Sequence, residues 1–150
     1  MEEAAKAYAP MMQLMLRGMG AYGKAFYQKY GKEALPIITE VASQGGVEWG
    51  KIMQNMLPAK IMQALGESFK MMEPMMGVKI GLVESSDNML HFKMSQCPLG
   101  LEGTSKELCE AMMTNDRKMI ETVLGQEVEA KIPKSVAAGD KECEIIYTIK

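Results

Sequence analysis

Three cysteines, one histidine and an aspartate in an apolar helical stripe are the residues of this chain best suited to chemistry. Cys97 and Cys109 stand twelve residues apart in "MSQCPLGLEGTSKELCE", and Cys143 follows in "AAGDKECEI". Thiolates bind soft metals and act as nucleophiles, so a metal centre, a nucleophile and plain core thiols are all open readings. A structural zinc usually takes close pairs such as C-x2-C, because a short turn aims both sulfurs at one ion; no such pair is present. The metal reading therefore needs convergence in space: Cys97 at a strand end, Cys109 in the first turns of a helix and Cys143 at a strand start, with Asp116 or Glu129 as fourth ligand. A helix N-terminus lowers a thiol's pKa, which is the expectation for Cys109. His91 is separated from Cys97 by six residues of strand, about 20 Å at 3.3 Å per residue, so the two cannot act as a pair. Cys109 and Cys143 stay open as partners for it, and on the polar face of its strand His91 is expected to be solvated.

Asp116 is the most informative single residue. On the helix expected over 104–124 the apolar stripe is Leu108, Cys109, Met112, Met113, Met119, Ile120 and Val123, and Asp116 falls in line with it. A carboxylate there is costly unless it is paired or used. Two roles remain: it bonds a backbone amide, Arg117 or Lys134, or it points into a ligand cavity. Methionine is the second anomaly, at 17 of 150 residues and often in pairs. Thioethers fill irregular core gaps and also line adaptable apolar pockets. Their helix-core spacing argues against copper(I) chelation.

The elements that must position these groups follow from the periodicity. A helical pattern runs from Glu2 to about Tyr30, a second fades at the "SQGG" of 43–46, a third is "VEWGKIMQNML", and a fourth runs to about Met72 and breaks at Pro74 and Gly77. "GMGAYG" at 18–23 has dinucleotide-loop spacing but no preceding strand, so its glycines are read as packing or bend positions. From Val78 the period becomes two. "VKIGLVESS" and "MLHFKMSQ" flank Asp87-Asn88 as a hairpin, with Leu90, Phe92 and Met94 on one face. Thr104 and Glu107 form a capping box for the next helix, and Gly125 ends it. Then "EVEAKIP" alternates Val128, Ala130 and Ile132 against charged residues, and the last strand buries Cys143, Ile145, Tyr147 and Ile149. The expected class is α+β: a helical N-terminal half on a small, mostly antiparallel four-stranded sheet, with one helix inserted between strands 2 and 3. One domain spans 1–150, with a helical part at 1–74 and a β-rich, ligand-binding part at 75–150.

Composition narrows the function. A net charge of −2 lacks the basic footprint of a nucleic-acid binder. No apolar run suits a membrane span, and the first residues do not read as a signal peptide. With an odd cysteine count, the expected location is the cytoplasm, where thiols stay reduced.

"CP" at 97–98, "LCEAMMTND", "LGQEVEA" and "KSVAAGDKECEI" come in an order that resembles the 4-vinyl reductase, or hydrocarbon-binding, domain superfamily, including L-2-amino-thiazoline-4-carboxylic acid hydrolase-like proteins. The resemblance covers residues 75–150 and, loosely, the helical half. It implies an α+β domain, often dimeric, around an apolar cavity; the same fold occurs in effector-sensing domains of aromatic-responsive regulators and in subunits of the TRAPP particle. By position it implies Cys97, Cys109, Cys143 and Glu129 as metal ligands, for zinc or another thiolate-bound metal, with Asp116 near an acidic position and Lys134 at a basic one. Ser135 and Met113 stand where relatives carry further cysteines, which weakens the metal and hydrolase assignments alike. Gly139-Asp140 also reads as a tight turn before the last strand.

The resulting expectation is a small-molecule-binding module with a methionine-lined pocket, its ligand contacts being Asp116, Met112, Met113, Cys109 and Lys134. The ligand is small and hydrophobic or heterocyclic, and the chain forms a homodimer or joins a larger complex. The alternatives are a hydrolase of thiazoline or amide heterocycles using a cysteine or metal-bound water, and an accessory subunit packed on a larger enzyme.

Overall fold

The computed structural model describes residues 2–150; Met1, counted in the expected domain, lies outside the described residues. Helix α1 (Glu2–Tyr30) is followed by one 3-10 turn at Gly31–Glu33, α2 (Ala34–Met56), α3 (Met62–Met71) and the single turn α4 (Glu73–Met76). Then come the strands β1 (Ile80–Ser85) and β2 (Met89–Met94), helix α5 (Lys106–Leu124), β3 (Val128–Lys134) and β4 (Cys143–Ile149). The sheet is antiparallel throughout, in the order β1-β2-β4-β3. The α+β class and the place of α5 between β2 and β3 match the sequence reading.

The two helices expected to part at "SQGG" are one. α2 runs through Gly45 and Gly46 because these glycines are where α5 comes close. A Cβ on Gly46 would collide with the Asn115 carbonyl oxygen, and one on Gly50 would sit 2.5 Å from Thr122 Cβ. Glycine's cost in a helix is offset here by contact that no larger residue allows. The same holds for "GMGAYG", which lies within α1: Gly20 abuts the Leu99 backbone, and a Cβ on Gly23 would be 2.8 Å from Met112 Sδ.

The cap of α5 also differs from expectation. Ser105, not Thr104, accepts the amide of Leu108 at 3.1 Å, while Thr104 Oγ1 donates to Leu101 O at 2.7 Å. Gly125, in the left-handed region at φ 66°, ends the helix as expected.

The core lies between the sheet and the helices. Leu90, Phe92 and Met94 of β2 and Cys143, Ile145 and Tyr147 of β4 are buried on that side. Phe92 sits between Phe69 of α3 at 5.8 Å and Tyr147 at 6.2 Å, an aromatic chain that ties helix to both central strands. α3 rests on β1 and β2, α5 on β3, and α2 packs along α5 from outside. His91 faces the other side of the sheet and is not solvated: its Nε2 meets Glu144 Oε1 at 2.8 Å, with both side chains largely covered.

Candidate functional site

The site grows from a size mismatch in the ladder between β3 and β4. On the core-facing side of β3, Val128 and Ile132 are buried, but Ala130 between them is small and exposed, and it pairs with Tyr147. α5 does not close the gap. Met113, Thr114 and Arg117, one helical edge at i, i+1 and i+4, face it with Glu110 one turn earlier. The result is a groove of about 440 Å³ between α5 and β3–β4, with Glu129 and Lys150 among its lining residues.

Glu121 fixes the helix against the strand at this edge. Its carboxylate takes Arg117 Nη1 at 3.0 Å, Lys118 Nζ at 2.7 Å and the Val128 amide at 3.2 Å. Burial works against the charge, but these hydrogen bonds and the two cations prevail and hold its pKa below the usual carboxylate value.

Two polar groups, one lining this site and one near it, lack protein partners among the described residues. The Tyr147 hydroxyl is fully buried without a hydrogen bond. Burial, and then the nearby Asp116 charge, push its ionisation well up, so the phenol stays protonated. Asp116 has no hydrogen bond or ion pair, neither of the pairings with Arg117 or Lys134 being formed. Its surface is half-buried, and desolvation raises its pKa to about 6.

The thiols converge elsewhere. Cys109, Cys143 and Cys97 are close enough to influence one another electrostatically, and all are reduced. Ser135, almost fully buried, hydrogen-bonds the Cys109 thiol and accepts the Ala137 amide at 3.2 Å; Cys143 Sγ accepts the Val136 amide at 3.5 Å. Cys109 is not activated by its helix terminus. Burial outweighs the Ser135 hydrogen bond and pushes its thiol up to about 11, and burial raises Cys97 and Cys143 too. Among the described residues no group of three or more His, Cys, Asp or Glu side chains is arranged to hold a metal ion. Glu129 lines the groove and lies 3.8 Å from Lys131 Nζ in an exposed ion pair.

Of the expected ligand contacts, Met113 lines the groove and Asp116 lies within electrostatic reach of its Tyr147 wall. Met112 packs on Gly23 of α1, Cys109 belongs to the thiol cluster, and Lys134 is an exposed strand residue 3.5 Å from Glu142. Tyr147, Ala130, Thr114 and Arg117 were not read from the sequence as site residues. The available signal was Ala130, a small residue alternating with Val128 and Ile132.

Asp140 does serve the turn: its Oδ2 accepts the Ser135 amide at 2.8 Å, beside Gly139 at φ 97°.

No family model and no curated protein matches this chain. Solved structures do. Subunit 3 of a trafficking protein particle complex from Naegleria fowleri, covalently bound to palmitic acid, matches with a TM-score of 0.64 at 15% identity over 93% of this chain and 95% of that one. The phenol-responsive sensory domain of the transcription activator PoxR, solved with phenol, matches with a TM-score of 0.59 at 16% identity, over 89% and 74%. The chain thus shares its fold with two proteins solved with small ligands.

Proposed function

We propose that this protein is a small-molecule-binding module that holds a compact, mostly apolar ligand with one hydrogen-bonding group in the groove between α5 and β3–β4. The observation that carries the reading is a 440 Å³ groove with the unpartnered Tyr147 residue in its wall and the unpartnered Asp116 carboxyl close enough to act on Tyr147 electrostatically. Met113, Val128, Ala130 and Ile132 give the groove an apolar floor inside a charged rim, and orphaned polar groups are costly unless something meets them. The fold of the palmitate-bound and phenol-bound proteins supports the same direction. Three reduced thiols suit the cytoplasm.

Hydrolysis finds less support. A cysteine nucleophile needs a lowered pKa or a base in reach, whereas Cys109 is raised to about 11 and His91 is engaged by Glu144.

Phenol and palmitate are the probes, with binding followed by calorimetry and by the methyl resonance of Met113. One of them is expected to bind and shift that resonance. Ala130→Trp, which fills the groove, abolishes binding, and Tyr147→Phe weakens it by about tenfold, the worth of one hydrogen bond of ~1.4 kcal/mol. Indifference of Met113 to both probes, or unchanged binding in Ala130→Trp, overturns the reading.

A further inference from the structure

A second groove, of about 710 Å³, lies between α5 and the first half of α2 with the turn before it. It shares Thr114 and Arg117 with the groove against the sheet. Its chemistry differs. Three cations line it, Lys32, Arg117 and Lys118, against one carboxylate, Glu40. Arg117 and Lys118 divide the single charge of Glu121, at 3.0 Å and 2.7 Å, so the pair keeps a positive surplus. Lys32 reaches Glu107 at 3.5 Å, but with side chains 80% and 48% exposed this contact holds the ammonium weakly.

The groove also holds donors without a protein acceptor. Thr39 and Ser43, one turn apart on one face of α2, make no hydrogen bond through their hydroxyls among the described residues. Arg117 makes a single hydrogen bond, from Nη1, and the rest of its donor fork is unused. Thr114 adds no donor, because its hydroxyl donates to Glu110 O at 3.3 Å. Hydroxyls on α2 and cations on α5 and the preceding turn therefore face one space from two sides. A carboxylate offers them oxygens in a single plane, whereas a phosphate offers a tetrahedral set and more charge. Leu35 and Pro36 continue the lining with apolar surface that a bare phosphate would leave unused. We infer that the groove between α2 and α5 is a second binding site and that it takes a small organic phosphate monoester. The phosphate lies among Arg117, Lys118, Thr39 and Ser43, and the carbon body rests on Leu35 and Pro36. The inference does not depend on what the groove against the sheet binds.

Butyl phosphate and inorganic phosphate are the probes, titrated by calorimetry at fixed ionic strength and followed by the phosphorus resonance. Butyl phosphate is expected to bind once per chain and more tightly than inorganic phosphate. Ser43→Glu places a carboxylate among the donors and should weaken butyl phosphate by about tenfold or more, since like charges brought together oppose binding. Lys32→Glu, at a side chain 80% exposed and so without risk to the core, should weaken it in the same direction and keeps the test open if Ser43→Glu does not fold. Ala130→Trp, which fills only the groove against the sheet, should leave butyl phosphate binding in place. The proposal is overturned by any of four results: no binding at millimolar butyl phosphate, equal affinity for the two probes, affinity unchanged in Lys32→Glu, or loss of binding in Ala130→Trp. Binding to phosphatidate vesicles without binding to the soluble ester would overturn it as well.

Discussion

Asp116 and Tyr147 carry the clearest residue-scale consequences. The folded pKa of Asp116, about 6, lies above its ordinary 3.8, so the native state binds the extra proton between those values. Its charge therefore costs stability above pH 6, and that cost disappears as the pH falls toward 4. The shift of about two units, discounted for the partly open surface, corresponds to about 2 kcal/mol. Asp116→Asn should raise stability by about that much at pH 7.5 and change little at pH 4, as read from urea midpoints at the two pH values. Glu121 has the opposite sign. Its depressed pKa supplies stability above about 4.5 that is lost as the pH falls through the folded value, so Glu121→Gln should destabilise at pH 7 and lose its effect in acid. Tyr147→Phe removes a buried hydroxyl that bonds nothing in the chain, so without ligand the variant should be at least as stable as the wild type, within about 1 kcal/mol. Loss of ligand affinity without loss of stability would set a binding role apart from a structural one.

At the scale of elements, the glycines of α2 and α1 divide by what lies opposite them. Gly46→Ala and Gly50→Ala add helix propensity, yet they force apart α2 and α5 where backbone meets backbone or a branched side chain. Overpacking of this kind costs about 1–3 kcal/mol, more than the ~1 kcal/mol that alanine returns, so both variants should melt lower. Gly18→Ala meets nothing within the chain and should keep the propensity gain. Thermal melts of the three variants check the division. α5 shows the same competition at its start: Thr104 and Glu107 have capping-box spacing, but Ser105 takes the cap while Thr104 closes the preceding turn onto Leu101.

In the whole molecule, stability concentrates where the sheet meets α2, α3 and α5, and α1 is held along one flank only. Amides of β2, β4 and α5 are expected to exchange hydrogen near the limit set by global unfolding. Those of α1, held along one flank only, should exchange faster than these. Equal protection of α1 and α5 would indicate that α1 opens only when the whole chain unfolds.

What the sequence determined by itself was what depends on the period of apolar residues and on the helix-ending glycine. The 2-residue alternation of "MLHFKM" and "CEIIYTI" marked the buried faces of the central strands, Gly125 marked the end of α5, and the shift from helix to strand period near Val78 marked the α+β division. Asp116 stood out because a carboxylate in an apolar stripe violates a local rule, and the structure keeps it without a hydrogen-bond partner. Only the tertiary structure decided the rest. "SQGG" reads as a break until α5 lies against it, and Cys109 reads as activated until burial raises its thiol. The groove exists because Ala130 pairs with Tyr147 across two strands while α5 stops short of both, an arrangement of residues distant in the chain. Period is a property of neighbours in sequence, and burial, close approach and cavities are properties of neighbours in space.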